Sequence, residues 1–239
     1  MCGRFTLKKK PVEIEEAECR PALHSVSKWK ARFNIAPAQK ALVVRQSHSS
    51  NLSTEISYLR WGLIPSWSKS ADSAPLINAQ ADTLAENPNF KSAYQKRRCL
   101  IPADGFYEWK RNQRNNQPYY FQLEDEAPFY MAGLWESWLD SNGNELESFT
   151  IITTQANSLL SKYHEQMPVI LGADKKQEWL GGVNSPLAQN LVDNLLTPYP
   201  ARKMKTHPVS QKVNNTLLDD ASCIDKASPE PTTQLDLGF

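Results

Sequence analysis

The sequence predicts a strand-rich α+β domain, and three observations carry that expectation. Apolar, β-branched and aromatic runs of strand length recur between residues 41 and 171. Helix-like segments fall among them at irregular intervals, without the strict alternation that builds a parallel doubly wound sheet. The length of 239 residues, 40% apolar and 22% charged, allows one sizeable core and has an ordinary globular composition.

Strand patterns occupy residues 41–46, 55–63, 99–110, 118–123, 129–138, 148–154 and 168–171. Asn142-Gly143, between the fifth and sixth runs, is a hairpin signal because both residue types tolerate positive φ. Helices are expected at 11–19, 87–98, 156–163, 175–180 and 185–196. The second carries Asn87 as N-cap and Pro88 in the first helical position. No repeat and no linker interrupts residues 1–217, so a single domain is expected there. Residues 218–239 are acidic, spaced by Pro229 and Pro231, and poor in apolar residues until the last six. They read as a disordered tail.

Composition excludes several classes. Nine Gly rule out collagen-like architecture. No window reaches the roughly 18 apolar residues of a membrane span. The first ten residues lack the apolar stretch of a signal peptide, so a cytoplasmic protein is expected. Cys2, Cys19, Cys99 and Cys223 form no CxxC, and no Cys/His cluster has metal-ligand spacing. Neither a metal nor a cofactor is implied. The net charge of +1 argues against nucleic acid only at first sight. Residues 1–120 hold 19 basic and 10 acidic residues, a balance of +9, and residues 121–239 hold 8 and 16, a balance of −8. A chain polarised in this way can present a basic face.

The residue with the most specific chemistry is Cys2. Removal of Met1 would leave a 1,2-aminothiol. Its α-amine, with a reference pKa of about 7.7–8.0, is partly neutral and nucleophilic at pH 7, and a thiol of reference pKa about 8.5 stands one carbon away. Such a pair condenses with an aldehyde to an imine and then closes a five-membered thiazolidine ring.

The surrounding motifs give this a context. Met-Cys2-Gly3-Arg4-Phe5 is followed by Asn34-Ile-Ala-Pro37, Trp61-Gly-Leu-Ile-Pro65-Ser-Trp67 and Leu76-Ile-Asn78-Ala79. Then come Ala103-Asp104-Gly105-Phe106-Tyr107-Glu108-Trp109, Phe149-Thr-Ile-Ile-Thr-Thr154, His164-Glu-Gln-Met167-Pro168 and His207-Pro208-Val209-Ser210. The series, in order from Cys2 to about Val213, resembles the SRAP family of abasic-site processing proteins. The resemblance implies covalent capture of abasic sites in single-stranded DNA by the N-terminal Cys, self-removal of the initiator Met, and a lyase-like side activity. It implies an SRAP-type domain over 1–217, with mixed sheets curled around a DNA-binding groove.

Carried onto this sequence, the resemblance makes Cys2 the nucleophile, Glu108 the acid/base, His164 a proton-transfer group and Asn78 a hydrogen-bonding partner of the sugar or the amine. Arg4, tethered two residues from Cys2, is expected on a phosphate. Asn34, Pro37, Trp67, Gln80, Phe106, Gln166 and His207 are the other candidate DNA contacts, with the aromatics offered as stacking surfaces. The clusters Lys96-Arg97-Arg98 and Lys110-Arg111 with Arg114 are possible phosphate grips or solvated charge. Two positions depart from the family pattern: Gln80 and Gln166 stand where it usually has Arg. Each change removes a cation, so weaker and less salt-sensitive DNA binding is expected.

The final residues, Gln234-Leu235-Asp236-Leu237-Gly238-Phe239, resemble the peptide by which bacterial proteins dock on the replication sliding clamp. Gln234 would hydrogen-bond at one subpocket while Leu237 and Phe239 fill an apolar cleft, and Leu235 is a further clamp-binding residue. The expected protein is thus a monomer at the nucleoid and replication fork, with abasic single-stranded DNA and the clamp as partners and no membrane. Two other readings stay open on the residues alone. One is an N-terminal-nucleophile Cys amidohydrolase or peptidase. The other is a non-catalytic, clamp-tethered DNA-binding module, for which Cys2 would be dispensable.

Overall fold

The computed structural model describes residues 2–11, 29–47, 50–71, 74–110, 116–181 and 186–227, with backbone alone at 50–53 and 186. The strands are β1 (Phe5–Leu7), β2 (Arg32–Ile35), β3 (Lys40–Ser47), β4 (Ser50–Trp61), β5 (Asn78–Gln80), β6 (Arg98–Ala103) and β7 (Gly105–Lys110). They continue as β8 (Gln117–Leu123), β9 (Phe129–Leu139), β10 (Glu145–Gln155), β11 (Gln166–Pro168), β12 (Ile170–Leu171) and β13 (Met204–Pro208). Among the described residues three short α-helices, α1 (Lys91–Lys96), α2 (Lys176–Leu180) and α3 (Pro186–Asp193), lie between them. The expected α+β class with few helices is observed.

Five strands close into a small barrel. β10 pairs in parallel with β4, β4 with β3, β3 with β6, β6 with β9, and β9 returns to β10 in an antiparallel hairpin. Closure leaves these strands without free edges. The hairpin turn has Gly143 at φ +80°, and Asp140 Oδ1 accepts from the backbone N–H groups of Asn142 and Asn144. A second sheet, in the order β13-β8-β7-β1-β2, packs beside the barrel. The main core fills the space between them, from Phe5, Phe106 and Phe121 on the sheet to Trp61, Phe149 and Ile151 on the barrel. Trp61 stands between Phe5, in edge contact at 5.2 Å, and Phe149, stacked at 6.2 Å.

The single run expected at 99–110 is two strands in different sheets, because the chain changes layer at Asp104. This residue is fully buried. Its carboxylate accepts from Thr6 Oγ1 at 2.6 Å and from the N–H groups of Lys8 and Lys9 at 2.7 Å each. An apolar run continues through both strands because both are buried, so periodicity alone does not reveal the break. Gly105 follows because Tyr120 occupies the space a Cβ would need.

Several helices are shorter than expected. The segment at 87–98 is helical only over Lys91–Lys96, and Asn87 caps a preceding turn by accepting from Asn89 N–H. The segment at 156–163 is a single 3₁₀ turn, Leu160–Lys162, with Asn157 Oδ1 accepting from Leu159 and Leu160. The last helix stops at Asp193. The helix expected at 11–19 lies outside the described residues apart from position 11. Arg98, expected in a basic surface cluster, is buried and donates to the carbonyls of Tyr94 and Trp179, both at 2.7 Å, tying α1 to α2. Arg97 pairs with Glu136 at 2.6 Å.

The domain also extends past residue 217. Asp219 accepts from the N–H groups of Phe33 and Asn34, at 2.5 and 2.8 Å, and pairs with Arg32. Cys223 is fully buried, with Tyr107, Tyr120, Val209 and Val213, on the outer face of the second sheet. Residues 218–227 are therefore part of the fold, and only 228–239 of the expected tail lie outside the described residues.

Replacing Asp104 by Ala takes the acceptor from the Lys8 and Lys9 N–H groups and the shortest bond from the Thr6 hydroxyl at the layer crossing. We expect Asp104→Ala to lose about 3–5 kcal/mol of stability by urea unfolding, and a loss under about 1 kcal/mol would contradict this role.

Candidate active site

Cys2 leads directly into β1, which lies between β2 and β7. The register sets Phe5 opposite Phe106 on one side and opposite Ile35 on the other. Carried one step further, with Tyr107 N–H donating to the Arg4 carbonyl at 3.0 Å, it brings Glu108 level with Gly3. Alternation then puts Phe5, Phe106 and Glu108 on the core face of the sheet. Cys2 is fully buried in that core. From the barrel side, Asn78 at the start of β5 donates its amide to the Cys2 carbonyl at 3.0 Å. Its Oδ1 is buried without a hydrogen-bond partner among the described residues, an acceptor available to an incoming N–H or O–H.

Burial governs the electrostatics. Glu108 is 3% exposed, and desolvation pushes its pKa up to about 7, against the opposing pull of the positive amino terminus. Desolvation drives the Cys2 thiol far above its ordinary range, and the neighbouring Glu108 carboxylate adds to that rise. At neutral pH the sulfur is a thiol, while Glu108 is balanced between acid and base.

His164 follows the Leu160–Lys162 turn. Its Nδ1 accepts from Gln166 N–H at 3.0 Å, so the neutral ring carries its proton on Nε2. Adjacent Tyr163 packs on Tyr119 at 4.6 Å and on Phe121 at 5.1 Å. Tyr119 is the cross-strand partner of Glu108, so the His164 segment is fastened to the face that carries the carboxyl. Cys2, Asn78 and Glu108 come together directly, and His164 is held on their side of the sheet.

The other candidates separate. Arg4 donates to Asn34 Oδ1 at 2.9 Å and to the Val213 carbonyl at 2.7 Å, and it faces the Trp109 ring at 6.0 Å. Asn34, expected along a DNA groove, is fully buried, and its Nδ2 donates to the carbonyls of Val213, Asn215 and Leu218. Both therefore hold the 213–218 segment in place. Phe106 is fully buried, stacked on Phe121 at 5.4 Å, which leaves it no surface for a base. His207 Nε2 lies 2.9 Å from the Ile224 carbonyl on the outer side of the second sheet. Pro37 is half-buried, in a turn with Ala38 at φ +68°. Trp67 is 64% exposed beside a small apolar cavity of about 140 Å³. Gln80 and Gln166 line one larger pocket. Arg111, Arg114 and the terminal candidates Gln234, Leu235, Leu237 and Phe239 lie outside the described residues, while Lys110 is an exposed end of β7. Sequence reading missed Asp219, the anchor of the 213–218 segment, because Asp219-Asp220 looks like the opening of an acidic tail.

No group of three or more His, Cys, Asp or Glu side chains that could hold a metal occurs among the described residues. No helix among them is long and apolar enough to cross a membrane.

A small closed barrel flanked by a second sheet, with a buried second-residue Cys between an amide and a raised-pKa carboxyl, defines a class of protein built around its own amino terminus. The chain belongs to the SOS response associated peptidase (SRAP) family, whose profile matches residues 1–216. It is 37% identical over 227 residues to the abasic site processing protein YoaM of Bacillus subtilis, covering 94% of this chain and 98% of that protein. It is 30% identical over 194 residues to the abasic site processing protein YedK of Escherichia coli, covering 81% and 83%. A crystal structure of a protein from Bacteroides thetaiotaomicron superposes with a TM-score of 0.79 at 28% identity, covering 95% of this chain and all of that one.

The raised Glu108 pKa has a thermodynamic consequence. The folded chain holds this proton more tightly than the unfolded chain, so stability falls as pH rises from about 4.5 to about 7 and levels off above. Glu108→Gln removes that fall. Relative to the parent, the variant should gain up to about 3 kcal/mol between about pH 5 and pH 8 in urea unfolding. A difference that does not vary with pH would show that Glu108 titrates normally.

Proposed function

We propose that this chain is an abasic site processing protein that captures the C1′ aldehyde of an abasic deoxyribose in single-stranded DNA as a thiazolidine on Cys2. The observation that carries this reading is the burial of Cys2 between the Asn78 amide and a carboxyl that titrates near neutrality. Names of relatives at 28–39% identity support the substrate class.

Hydrolysis of the Met1–Cys2 peptide bond comes first, because it frees the α-amine, and Glu108 serves as its acid/base. The amine nitrogen then attacks C1′ of the open-chain sugar. Glu108 takes the amine proton and returns one to the carbinolamine oxygen, which leaves as water to give the imine. The thiol adds to the imine carbon while its proton passes to nitrogen, so the whole capture releases one water. A thiol held protonated by burial suits this order, with the amine reacting before the sulfur. The Nε2–H of His164 is suited to donating a hydrogen bond to the sugar ring oxygen during opening, and Asn78 Oδ1 to accepting from the amine. Elimination of the 3′ phosphate from the imine is the lyase-like branch. No step calls on a metal or a redox cofactor.

The reading includes a monomeric protein in the cytoplasm, working at replication forks and tethered to the sliding clamp by residues 234–239. The acidic stretch before that peptide suits it for a protein partner rather than for DNA.

Mixed with an oligonucleotide bearing a single abasic site, the chain should lose Met1 by intact mass and form an adduct that survives SDS and heat. Cys2→Ala should lose the stable adduct entirely while keeping an imine that borohydride traps. A full-strength adduct from Cys2→Ala would overturn the thiazolidine assignment. Deleting residues 234–239 should abolish pull-down of the clamp and leave crosslinking unchanged. Equal clamp binding by the truncated chain would remove the tethering proposal.

A further inference from the structure

The strand face that presents Asn78 to Cys2 does not end there. β10 takes β5 on one edge, with Ile151 opposite Asn78 and Thr153 opposite Gln80. On its other edge it takes β11, with Gln155 opposite Gln166. Positions 78 and 80 share a face, as do 151, 153 and 155, because side chains alternate along a strand. Gln80, Thr153, Gln155 and Gln166 therefore continue the Asn78 face away from Cys2. The hydrogen bond from Thr153 Oγ1 to Gln166 Oε1, at 3.0 Å, fits this placement. Gln80 and Gln155 are both exposed to solvent.

This row leads into a pocket of about 490 Å³, which Asp82 and Asp193 also line. No Lys or Arg among the described residues lines it. Asp193 Oδ1 accepts from the Tyr94 hydroxyl and from Gln189 Nε2. Asp82 is exposed at the rim.

The chemistry of the lining selects the ligand. Two carboxylates and no cation repel phosphate. Carboxylates accept hydrogen bonds and cannot donate them, while Gln amides do both and match the polar edge of a base in a bidentate way. The volume is ample for one nucleoside. We propose that this pocket takes an unpaired nucleobase bearing an exocyclic amino group, from a nucleotide flanking the captured residue. This rests on the reading that the chain binds single-stranded DNA. The Gln80, Thr153, Gln155 and Gln166 side of the pocket continues the strand face that also holds Cys2 through Asn78, so a base seated there would fix the register of the strand on the nucleophile. The two Gln positions that depart from the family pattern are then the readers of the base, in place of a phosphate grip.

The test separates this site from the capture chemistry. Oligonucleotides carrying a tetrahydrofuran abasic analogue have no C1′ aldehyde and cannot crosslink. Their binding to the full chain is measured by fluorescence anisotropy, with either dC or dT at the flanking positions. These bases are similar in size and differ at the 4-amino and 4-oxo groups. We expect dC flanks to bind about fivefold or more tightly than dT flanks. In the doubly substituted Gln80→Ala, Asp82→Ala chain, altered only at exposed positions, the preference should fall to near one while dT binding changes little. Equal affinity for dC and dT in the parent would overturn the proposal. So would a preference that persists in the double variant, or a loss of affinity in that variant equal for both flanks, the mark of a contact that does not read the base. If an aldehyde-bearing oligonucleotide fails to crosslink while the dC preference holds, the capture reading falls and the base pocket stands.

Discussion

The pairing of β1 with β7 is the interaction on which the rest of the molecule depends. A chain terminus ordinarily frays, because few contacts repay the entropy of ordering it. Here Phe5 pairs with Phe106 and Ile35 across two neighbouring strands and packs on Trp61. That arrangement draws Cys2 into the core and puts Glu108 beside the start of the chain. The same burial that orders the start of the first strand desolvates the carboxyl, so the fold and the raised pKa of Glu108 share one cause. Asp104 secures the pairing from the other end. Its carboxylate ties Thr6, Lys8 and Lys9 of the first strand and its exit to the point where the chain leaves the barrel for the second sheet.

A second consequence concerns the carboxyl end. The 213–219 segment closes over Arg4 and Asn34, and Asp219 caps the N–H groups of Phe33 and Asn34. Residues separated by about 180 positions in sequence thus support β2, the neighbour of the strand that follows Cys2. This explains why Arg4 is bonded inside the protein, although a cation two residues from Cys2 looks at first like a phosphate contact.

The extent to which the fold was legible follows the physics of each element. The β9–β10 hairpin was visible because Asn142-Gly143 is a local signal, and local conformational preference decides a tight turn. The break at Asp104 was hidden, since strands buried on both faces give one continuous apolar run. The 3₁₀ turn at Leu160–Lys162 was overestimated as a helix because Asn157 takes the first N–H groups and Gln166 pairs back to β10 within a few residues. In the site, Cys2, Asn78, Glu108 and His164 came from motif order. Phe106 and Asn34 shared that order yet proved interior, because a motif records which residues occur together and not which way they point.

By itself the sequence determined the chemistry available: an aminothiol latent at Cys2, a carboxylic acid, an imidazole and an amide, and two Gln where cations would have given a phosphate grip. Residue type and order are enough for that, because intrinsic reactivity belongs to the side chain. The tertiary structure alone decided which of those groups are dry, which meet and which are occupied. Burial moved Glu108 to neutrality, register aligned Gln80, Gln155 and Gln166 behind Asn78, and long-range hydrogen bonds took Arg4 and Asn34 into the scaffold. Desolvation and strand register are properties of contacts between distant segments, and no local stretch of sequence contains them.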